Sequence, residues 1–223
     1  SLIPNLQNVD KNIIEKAHYD KGLQYTVPYV LGATGIAVNK KYVKNYPKDF
    51  SIFERSDLKG KMSLLDEMKE VLGSALLMLN YPMNSVHPEE LAKAKALVLK
   101  YKKNILKFDA ESYGKGFATG EYWVSQGYAE NIMEELDDNM KNDVEFFIPQ
   151  KGCQMYVDSI TILKSAPNKE NAYKFINFIH KPQVFAKIMD FVKAPCINIP
   201  AQEFITEPAN YQLNDMKGCQ FKE

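Results

Sequence analysis

The sequence predicts an α/β fold, because segments with helical periodicity alternate with short apolar segments typical of buried strands. The chain has 223 residues and is 45% hydrophobic. A chain of this length buries roughly 70% of its unfolded surface, which is enough for a hydrophobic core. It carries 28 basic and 28 acidic residues. Balanced charge with this hydrophobic fraction excludes a disordered chain and argues against a nucleic-acid-binding surface, which is normally basic.

The first predicted elements surround the glycine at position 32. Residues 25–29 and 34–38 are predicted to be extended, and residues 1–24 are predicted to be irregular. The clearest helix is predicted to begin at Asp66, a favourable N-cap, and to end before Pro82. Its apolar residues recur at helical spacing and predict one buried face. They are Met68, Val71, Leu72, Ala75, Leu76 and Leu79.

The rest of the chain continues the alternation of helices and strands. A second long helix is predicted to begin at Pro88, because proline and acidic residues favour the first turn. Further helices are predicted through Phe117, around Ile132 to Leu136, from Asn168 to Ile179, and from Pro182 to Met189. The predicted strands lie near Phe108 and at 122–124, 144–148 and 159–163. The tail after Pro195 is predicted to be irregular.

Two pairs of polar residues are candidates for binding a cation. Glu67 and Glu70 lie three residues apart and therefore share one face of the predicted helix. Acidic residues also stabilise the start of a helix through its dipole, so the spacing alone favours a purely structural role for this pair. Tyr156 and Asp158 lie two residues apart and would share one face of a strand. A carboxylate beside an aromatic ring suits a cation, although a solvated strand end gives the same pattern.

Cysteine chemistry is the main alternative to simple binding. Cys153, Cys196 and Cys219 form no zinc-type motif, so no metal site is predicted. Their odd number leaves at least one thiol free if a disulfide forms, and the sequence leaves the pairing open. A cysteine-dependent enzyme remains an alternative, because a catalytic cysteine and its histidine can be far apart in sequence. No local signature supports this alternative, and no catalytic residue or cofactor is predicted.

Five segments, in order, resemble the bacterial spermidine/putrescine-binding proteins, which are the extracytoplasmic receptors of polyamine ABC importers. The segments are 25–39 (YTVPYVLGATGIAVN), 57–71 (DLKGK followed by LDEMKEV), Gly120-Glu121 before an aromatic residue, Val157-Asp158-Ser159 before an apolar stretch, and the helix at 168–178. They cover most of residues 25 to 200. The chain is therefore identified as a member of this family that lacks the N-terminal part.

The resemblance implies a type II periplasmic-binding-protein fold, with two α/β lobes joined by crossing strands and a ligand held between them. It also implies that most of the first lobe is missing from this chain. Residues 1–35 would end the first lobe and cross over, and 36–156 would form the second lobe. Residues 157–200 would return to the first lobe, and 201–223 would cross back toward the second.

The resemblance also implies a ligand-binding site without catalysis or cofactors. The acidic pair and Asp158 would bind polyamine nitrogens, two tyrosines would offer aromatic faces, and a glutamine would contact the ligand. These site residues are Glu67, Glu70, Tyr128, Tyr156, Asp158 and Gln220. Ala194 stands where a family member would offer a tyrosine, which implies a roomier site or a preference for a different polyamine length. The choice between spermidine and putrescine stays open.

The partners implied by the resemblance are a polyamine, an ABC-transporter permease and its ATPase. The implied location is periplasmic or extracytoplasmic, and membrane attachment is expected only through a lipid anchor outside this chain. No nucleic acid is expected as a partner. The same fold with another small solute, such as an amino acid, a sugar or a metal, remains the alternative within this fold class.

Overall fold

The computed structural model describes residues 2–16 and 18–222 and shows the predicted mixture of helices and strands. The helices are α1 (Lys11–Lys16), α2 (Met68–Met78), α3 (Pro88–Lys102), α4 (Tyr113–Ala118), α5 (Ala129–Met133), α6 (Asp138–Lys141), α7 (Lys169–Ile179) and α8 (Pro182–Val192). The strands are β1 (Val27–Ala33), β2 (Gly35–Asn39), β3 (Met62–Leu64), β4 (Lys107–Phe108), β5 (Val124–Gly127), β6 (Val144–Phe147), β7 (Gln154–Ile160) and β8 (Gln220–Phe221). Short 3-10 helices lie at Pro4–Asn8, His18–Asp20, Phe50–Glu54, Ser56–Leu58, Ile199–Phe204 and Leu213–Met216.

The chain divides into two compact units. Unit 1 comprises Ser1–Gly32 and Tyr156–Leu213, and unit 2 comprises Ala33–Met155 and Asn214–Glu223. The predicted second lobe, 36–156, overlaps the longer segment of unit 2. The predicted lobe boundaries themselves stay a prediction. None of the helices in the described ranges is long and apolar enough to cross a membrane.

Unit 2 is built on a five-stranded sheet in the order β4-β3-β5-β2-β6. Strand β3 runs parallel to β4 and β5, whereas β2 runs antiparallel to β5 and β6. The carboxyl ends of β3 and β5 and the start of β2 therefore lie at the same edge of the sheet. This edge is where α/β proteins of this kind commonly bind ligands. A core that includes Ile36, Met62 and Val124 holds these strands together.

Strands β7 and β8 pair in parallel through Gln154 with Gln220 and Met155 with Phe221. They belong to a three-stranded sheet in the order β1-β7-β8. A disulfide joins Cys153 to Cys219, the residues directly before the two strands. The short strand β8 is therefore fixed to β7 by a covalent bond as well as by backbone hydrogen bonds.

Several predicted boundaries are wrong for local reasons. Helix α2 is capped by Glu67, not Asp66, because the Glu67 carboxylate accepts the N–H groups of Lys69 and Glu70. Met68, predicted to be buried, is 73% exposed at the start of this helix. The strand predicted at 122–124 begins at 124, the strand predicted at 159–163 ends at 160, and the helix predicted to reach Leu136 ends at Met133.

The ends of the chain are more ordered than the sequence predicts. Residues 1–24 contain α1 and two 3-10 helices, and the tail after Pro195 contains two 3-10 helices and β8. Side-chain hydrogen bonds to the backbone account for part of this order. The buried Asp20 carboxylate accepts N–H groups of Gln24, Tyr25 and Thr26. Hydrogen bonds of this kind do not produce a periodic pattern of apolar residues, and the prediction of irregular ends rests on the absence of such a pattern.

Unit 1 buries a histidine that has no polar partner for its ring. His180 is 0% exposed, and neither ring nitrogen has a hydrogen-bond partner in the described chain. Its ring centroid lies 5.3 Å from that of Phe185. Burial lowers the pKa of His180 to about 4. The charged form of this ring is therefore disfavoured in the folded state.

We expect the free energy of unfolding to fall as the pH is lowered from 6.5 toward 4. His180 binds a proton more weakly in the folded chain than in the unfolded chain, so protonation favours unfolding. A pKa near 4 corresponds to a loss of about 1.5 kcal/mol between pH 6.5 and pH 5. Urea unfolding at several pH values measures this loss. The variant His180→Leu should show a flatter dependence of the unfolding free energy on pH. His87 is exposed, so the control variant His87→Gln should keep the wild-type dependence. Equal slopes in the wild type and both variants would contradict the assignment of this pH dependence to His180.

Candidate cation-binding site

The acidic pair lies at the sheet edge where β3 and β5 end and β2 begins. Glu67 and Glu70 follow β3 at the start of α2, Tyr128 follows β5, and Thr34 precedes β2. The topology of unit 2 therefore brings together residues that are far apart in sequence. Lys222, directly after β8, reaches the same place.

Glu70 is the centre of this cluster. It is 0% exposed, and each of its carboxylate oxygens accepts hydrogen bonds. The Thr34 hydroxyl donates to Oε2 at 2.6 Å, and the Tyr128 hydroxyl donates to Oε1 at 3.3 Å. The Lys222 ammonium donates to Oε1 at 2.8 Å. A buried carboxylate requires such partners, and the cluster provides two neutral donors and one cation.

Glu67 has a different role from Glu70. Its side chain is 41% exposed and lies 3.5 Å from the Lys222 ammonium. Both of its oxygens cap α2, accepting the N–H of Lys69 at 3.1 Å and that of Glu70 at 3.0 Å. The two residues of the acidic pair therefore differ in their contacts. Glu67 stabilises the helix start, and Glu70 is a buried carboxylate paired with the Lys222 ammonium. Ligand binding by either residue stays a prediction.

Lys222 is held in position by its backbone. The Lys222 N–H donates to the Met155 carbonyl at 3.0 Å, and the Gln220 N–H donates to the Cys153 carbonyl at 2.8 Å. The Lys222 side chain is 27% exposed. Burial acts to lower the pKa of Lys222, but the hydrogen bond and charge of Glu70 outweigh it, so the pKa is raised. Lys222 is therefore a firmly charged ammonium group.

A second layer of polar side chains fixes the backbone beneath Glu70. The Gln154 amide donates to the Glu70 carbonyl at 2.6 Å, and the Ser74 hydroxyl donates to the same carbonyl at 2.7 Å. The Gln126 amide donates to the Ser74 hydroxyl at 3.3 Å. Gln126 and Gln154 are buried. These hydrogen bonds fix the first turn of α2, which carries the Glu70 carboxylate. A fixed backbone of this kind is typical of a preorganised binding site.

Tyr128 contributes its hydroxyl to the cluster. Its ring is half-buried, and its backbone N–H donates to the Tyr113 hydroxyl at 3.3 Å. Burial, and then the charge of Glu70, raise the pKa of Tyr128. The hydroxyl therefore stays protonated and remains a donor to the carboxylate. Whether its ring also faces a ligand stays a prediction.

Tyr156 and Asp158 lie on β7 in unit 1, as the strand prediction requires. The Tyr156 ring occupies space next to Gly32, where a Cβ atom would approach the ring hydroxyl to 2.2 Å. Asp158 is exposed and has no hydrogen-bond or ion-pair partner among the described residues. Although Asp158 is exposed, neighbouring protein atoms remove part of the hydration of its carboxylate, which raises the pKa of Asp158. A carboxylate destabilised in this way gains from a bound cation.

Residues 2–202 match the family model described as bacterial extracellular solute-binding protein. The chain belongs to this family. It is 31% identical over 223 residues to the putrescine-binding periplasmic protein SpuD of Pseudomonas aeruginosa, covering 93% of this chain and 61% of that protein. It is 29% identical over 214 residues to the spermidine/putrescine-binding periplasmic protein of Escherichia coli, covering 94% and 60%. The chain thus spans about three fifths of the length of these relatives.

Among solved structures, the Tp0655 (TpPotD) lipoprotein of Treponema pallidum superposes with a TM-score of 0.96 at 40% identity. The match covers 99% of this solute-binding chain and 70% of that structure. The predicted resemblance and the predicted periplasmic-binding-protein fold class are therefore confirmed. The expectation that the chain lacks part of the family's length agrees with these coverages.

The cysteines of this solute-binding chain do not support the enzymatic alternative. Cys153 and Cys219 are joined in a disulfide, which settles the pairing that the sequence left open. Cys196 carries a free thiol whose pKa is raised by burial. A thiol with a raised pKa is a poor nucleophile at neutral pH. The family is also one of solute-binding proteins rather than enzymes.

Sequence reasoning missed two members of the Glu70 cluster, and three of the residues that it named, Tyr156, Asp158 and Gln220, are not among the hydrogen-bond partners of the Glu70 carboxylate in the described residues. Thr34 and Lys222 were not predicted as site residues. The Gln220 side-chain oxygen accepts the Met83 N–H at 3.0 Å. Its role as a ligand contact stays a prediction. Thr34 lies within the segment that carried the resemblance, but Lys222 is 152 residues from Glu70 and no local pattern connects them.

Proposed function

We propose that this chain is part of an extracytoplasmic receptor that binds a polyamine and delivers it to an ABC importer. The observation that carries this proposal is the buried Glu70 carboxylate, which already holds an ammonium group at 2.8 Å. Polyamines carry ammonium groups separated by methylene chains. A receptor for them needs carboxylates and aromatic surfaces, with no chemistry performed on the ligand.

Each unit of the chain contains one carboxylate that is suited to binding an ammonium group. In unit 2, Glu70 is surrounded by the hydroxyls of Thr34 and Tyr128. In unit 1, Asp158 is free of protein partners within the described chain and lies on the same strand as Tyr156. We propose that both carboxylates bind ammonium groups and that the tyrosine rings contact the methylenes. The net charge of zero is no obstacle, because the acidity need only be local.

The names of the relatives support the ligand class and the partners. Those from Pseudomonas aeruginosa and Escherichia coli are named as putrescine-binding and spermidine/putrescine-binding periplasmic proteins. The Treponema pallidum protein is described as a lipoprotein. We propose that this chain likewise acts outside the cytoplasm, meets an ABC-transporter permease, and is attached to the membrane by a lipid anchor outside the sequence described here.

A panel of ligands tests the proposal. Thermal unfolding would be followed with putrescine, spermidine, a neutral amino acid, a sugar and a monoamine. Putrescine or spermidine should raise the melting temperature with saturation, because a ligand that binds only the folded state stabilises it. The monoamine at equal ionic strength is the control for non-specific charge effects. A saturable increase with the amino acid or sugar alone would overturn the polyamine assignment.

Replacing Asp158 with alanine should weaken polyamine binding by about 1 kcal/mol, or roughly fivefold in Kd, because the carboxylate is exposed in this chain. The variant removes a carboxylate that is not paired with any cation among the residues described by the structure. Calorimetric titration measures the change, with Glu203→Ala as the control. Glu203 is another exposed acid of unit 1 without a hydrogen bond or ion pair in the described ranges. Wild-type affinity in the Asp158 variant would remove this residue from the site.

A further inference from the structure

We infer that Lys222 is a tethered competitor of the ligand: its ammonium group occupies the Glu70 carboxylate in the free chain, and a ligand ammonium group binds there by displacing it. The inference rests on the proposed function and names a residue that sets the affinity of the same site. It begins from the contact of the Lys222 ammonium with Glu70 at 2.8 Å and with Glu67 at 3.5 Å.

The chemistry of Lys222 matches that of the proposed ligand. A lysine side chain is an aminobutyl group, and putrescine and spermidine both end in the same group. The pocket formed by Thr34, Glu70 and Tyr128 therefore already accepts a primary ammonium group on a methylene chain. No other cation is needed to explain why a fully buried carboxylate is stable in the free chain.

The burial and the existing hydrogen bonds of Glu70 favour exchange of Lys222 for a ligand over binding of both at once. Glu70 is 0% exposed in the chain in which the Lys222 ammonium contacts it. Its oxygens already accept three hydrogen bonds, of the roughly four that a carboxylate can accept. If Lys222 left without a replacement, a buried negative charge would be unpaired. One cation must therefore exchange for another, and the exchange conserves the charge at this carboxylate.

The fold allows Lys222 to leave without unfolding. Its backbone is fixed by the bond to the Met155 carbonyl and by the neighbouring disulfide, so only side-chain rotation is required. The side chain is already 27% exposed and can extend into water. The fixed backbone also keeps the displaced ammonium within reach of Glu70. The local concentration of the competitor is therefore high, and it lowers the apparent affinity for any ligand cation.

The test is calorimetric titration of putrescine and spermidine into the wild type, Lys222→Met, Lys222→Arg and Lys217→Met. Methionine keeps an unbranched apolar chain but removes the ammonium. If Lys222 occupies Glu70 about nine-tenths of the time, its removal should tighten the apparent Kd about tenfold. Lys222→Arg keeps the competing charge and should show no gain. Lys217 is an exposed lysine of the same C-terminal segment without a partner in the described chain, and its replacement should change nothing.

Each outcome decides the inference. The inference is supported if Lys222→Met is the only variant that binds a polyamine more tightly than the wild type does. It is also supported if Lys222→Met binds a polyamine and the wild type binds none. Equal or weaker binding to Lys222→Met, with normal binding by the wild type, overturns the inference and leaves the proposed function standing. Absence of binding in every variant overturns both. Thermal unfolding of Lys222→Met with and without putrescine checks that the variant is folded, and putrescine should stabilise it more than it stabilises the wild type.

Discussion

Replacing Glu70 with glutamine should reduce polyamine affinity by at least about 2 kcal/mol, or roughly 30-fold in Kd. The carboxamide keeps the shape of the side chain. Its oxygen can still accept a hydrogen bond from either Thr34 or Tyr128, and its NH2 group can donate to the other hydroxyl. It removes the negative charge that an ammonium group requires. Because Glu70 is 0% exposed, solvent screens this charge very little. Calorimetric titration of putrescine and spermidine into the variant measures the loss.

Glu67→Gln is the matched control for this variant. The Glu67 side chain is 41% exposed, and a glutamine oxygen can still cap α2. An exposed ion pair contributes only about 0–1 kcal/mol, so the change in affinity should be much smaller than for Glu70→Gln. Melting curves of both variants would show that they are folded. Equal losses in the two variants would contradict the distinction between a buried binding carboxylate and a helix cap.

Loss of the disulfide should lower the free energy of unfolding by about 2–4 kcal/mol. Cys153 and Cys219 are 66 residues apart in sequence, so the bond closes a long loop and restricts the unfolded chain. In the folded chain it fixes β8, and with it Lys222, against β7. Urea unfolding of the variant with Cys153→Ala and Cys219→Ala measures the effect.

Reducing agent supplies an independent check of the same bond. It should destabilise the wild type and have no effect on the double-alanine variant. Cys196→Ala is the control, because Cys196 is the free thiol and its replacement should leave the sensitivity to reductant unchanged. A reductant effect of equal size in all of these proteins would show that the disulfide does not account for the stability.

The sequence predicts the acidic pair because both of its residues lie within one helical turn. Helical periodicity places α2, and the family resemblance selects Glu67 and Glu70 as candidates. The same local pattern fails to predict which residue caps the helix. Asp66 and Glu67 are both suitable acids, and the choice depends on backbone geometry that leaves the Glu67 carboxylate facing the first N–H groups.

The partners of Glu70 could not be predicted, because they come together only through the topology of the sheet. Thr34, Tyr128 and Lys222 belong to separate segments whose ends meet at one edge. The disulfide has the same origin, since three cysteines allow three pairings and spacing does not choose among them. Long-range contacts of this kind leave no periodic signal, whereas the family resemblance carries information about the fold as a whole.

The most direct test of the central claim is calorimetric titration of putrescine and spermidine into the wild type and Glu70→Gln in parallel. The claim is that the Glu70 carboxylate binds an ammonium group of a polyamine. It predicts one saturable site in the wild type, at roughly micromolar affinity or tighter, and a strongly weakened or absent site in the variant. Identical titration curves for the two proteins, or no saturable binding of either polyamine to the wild type, would contradict it.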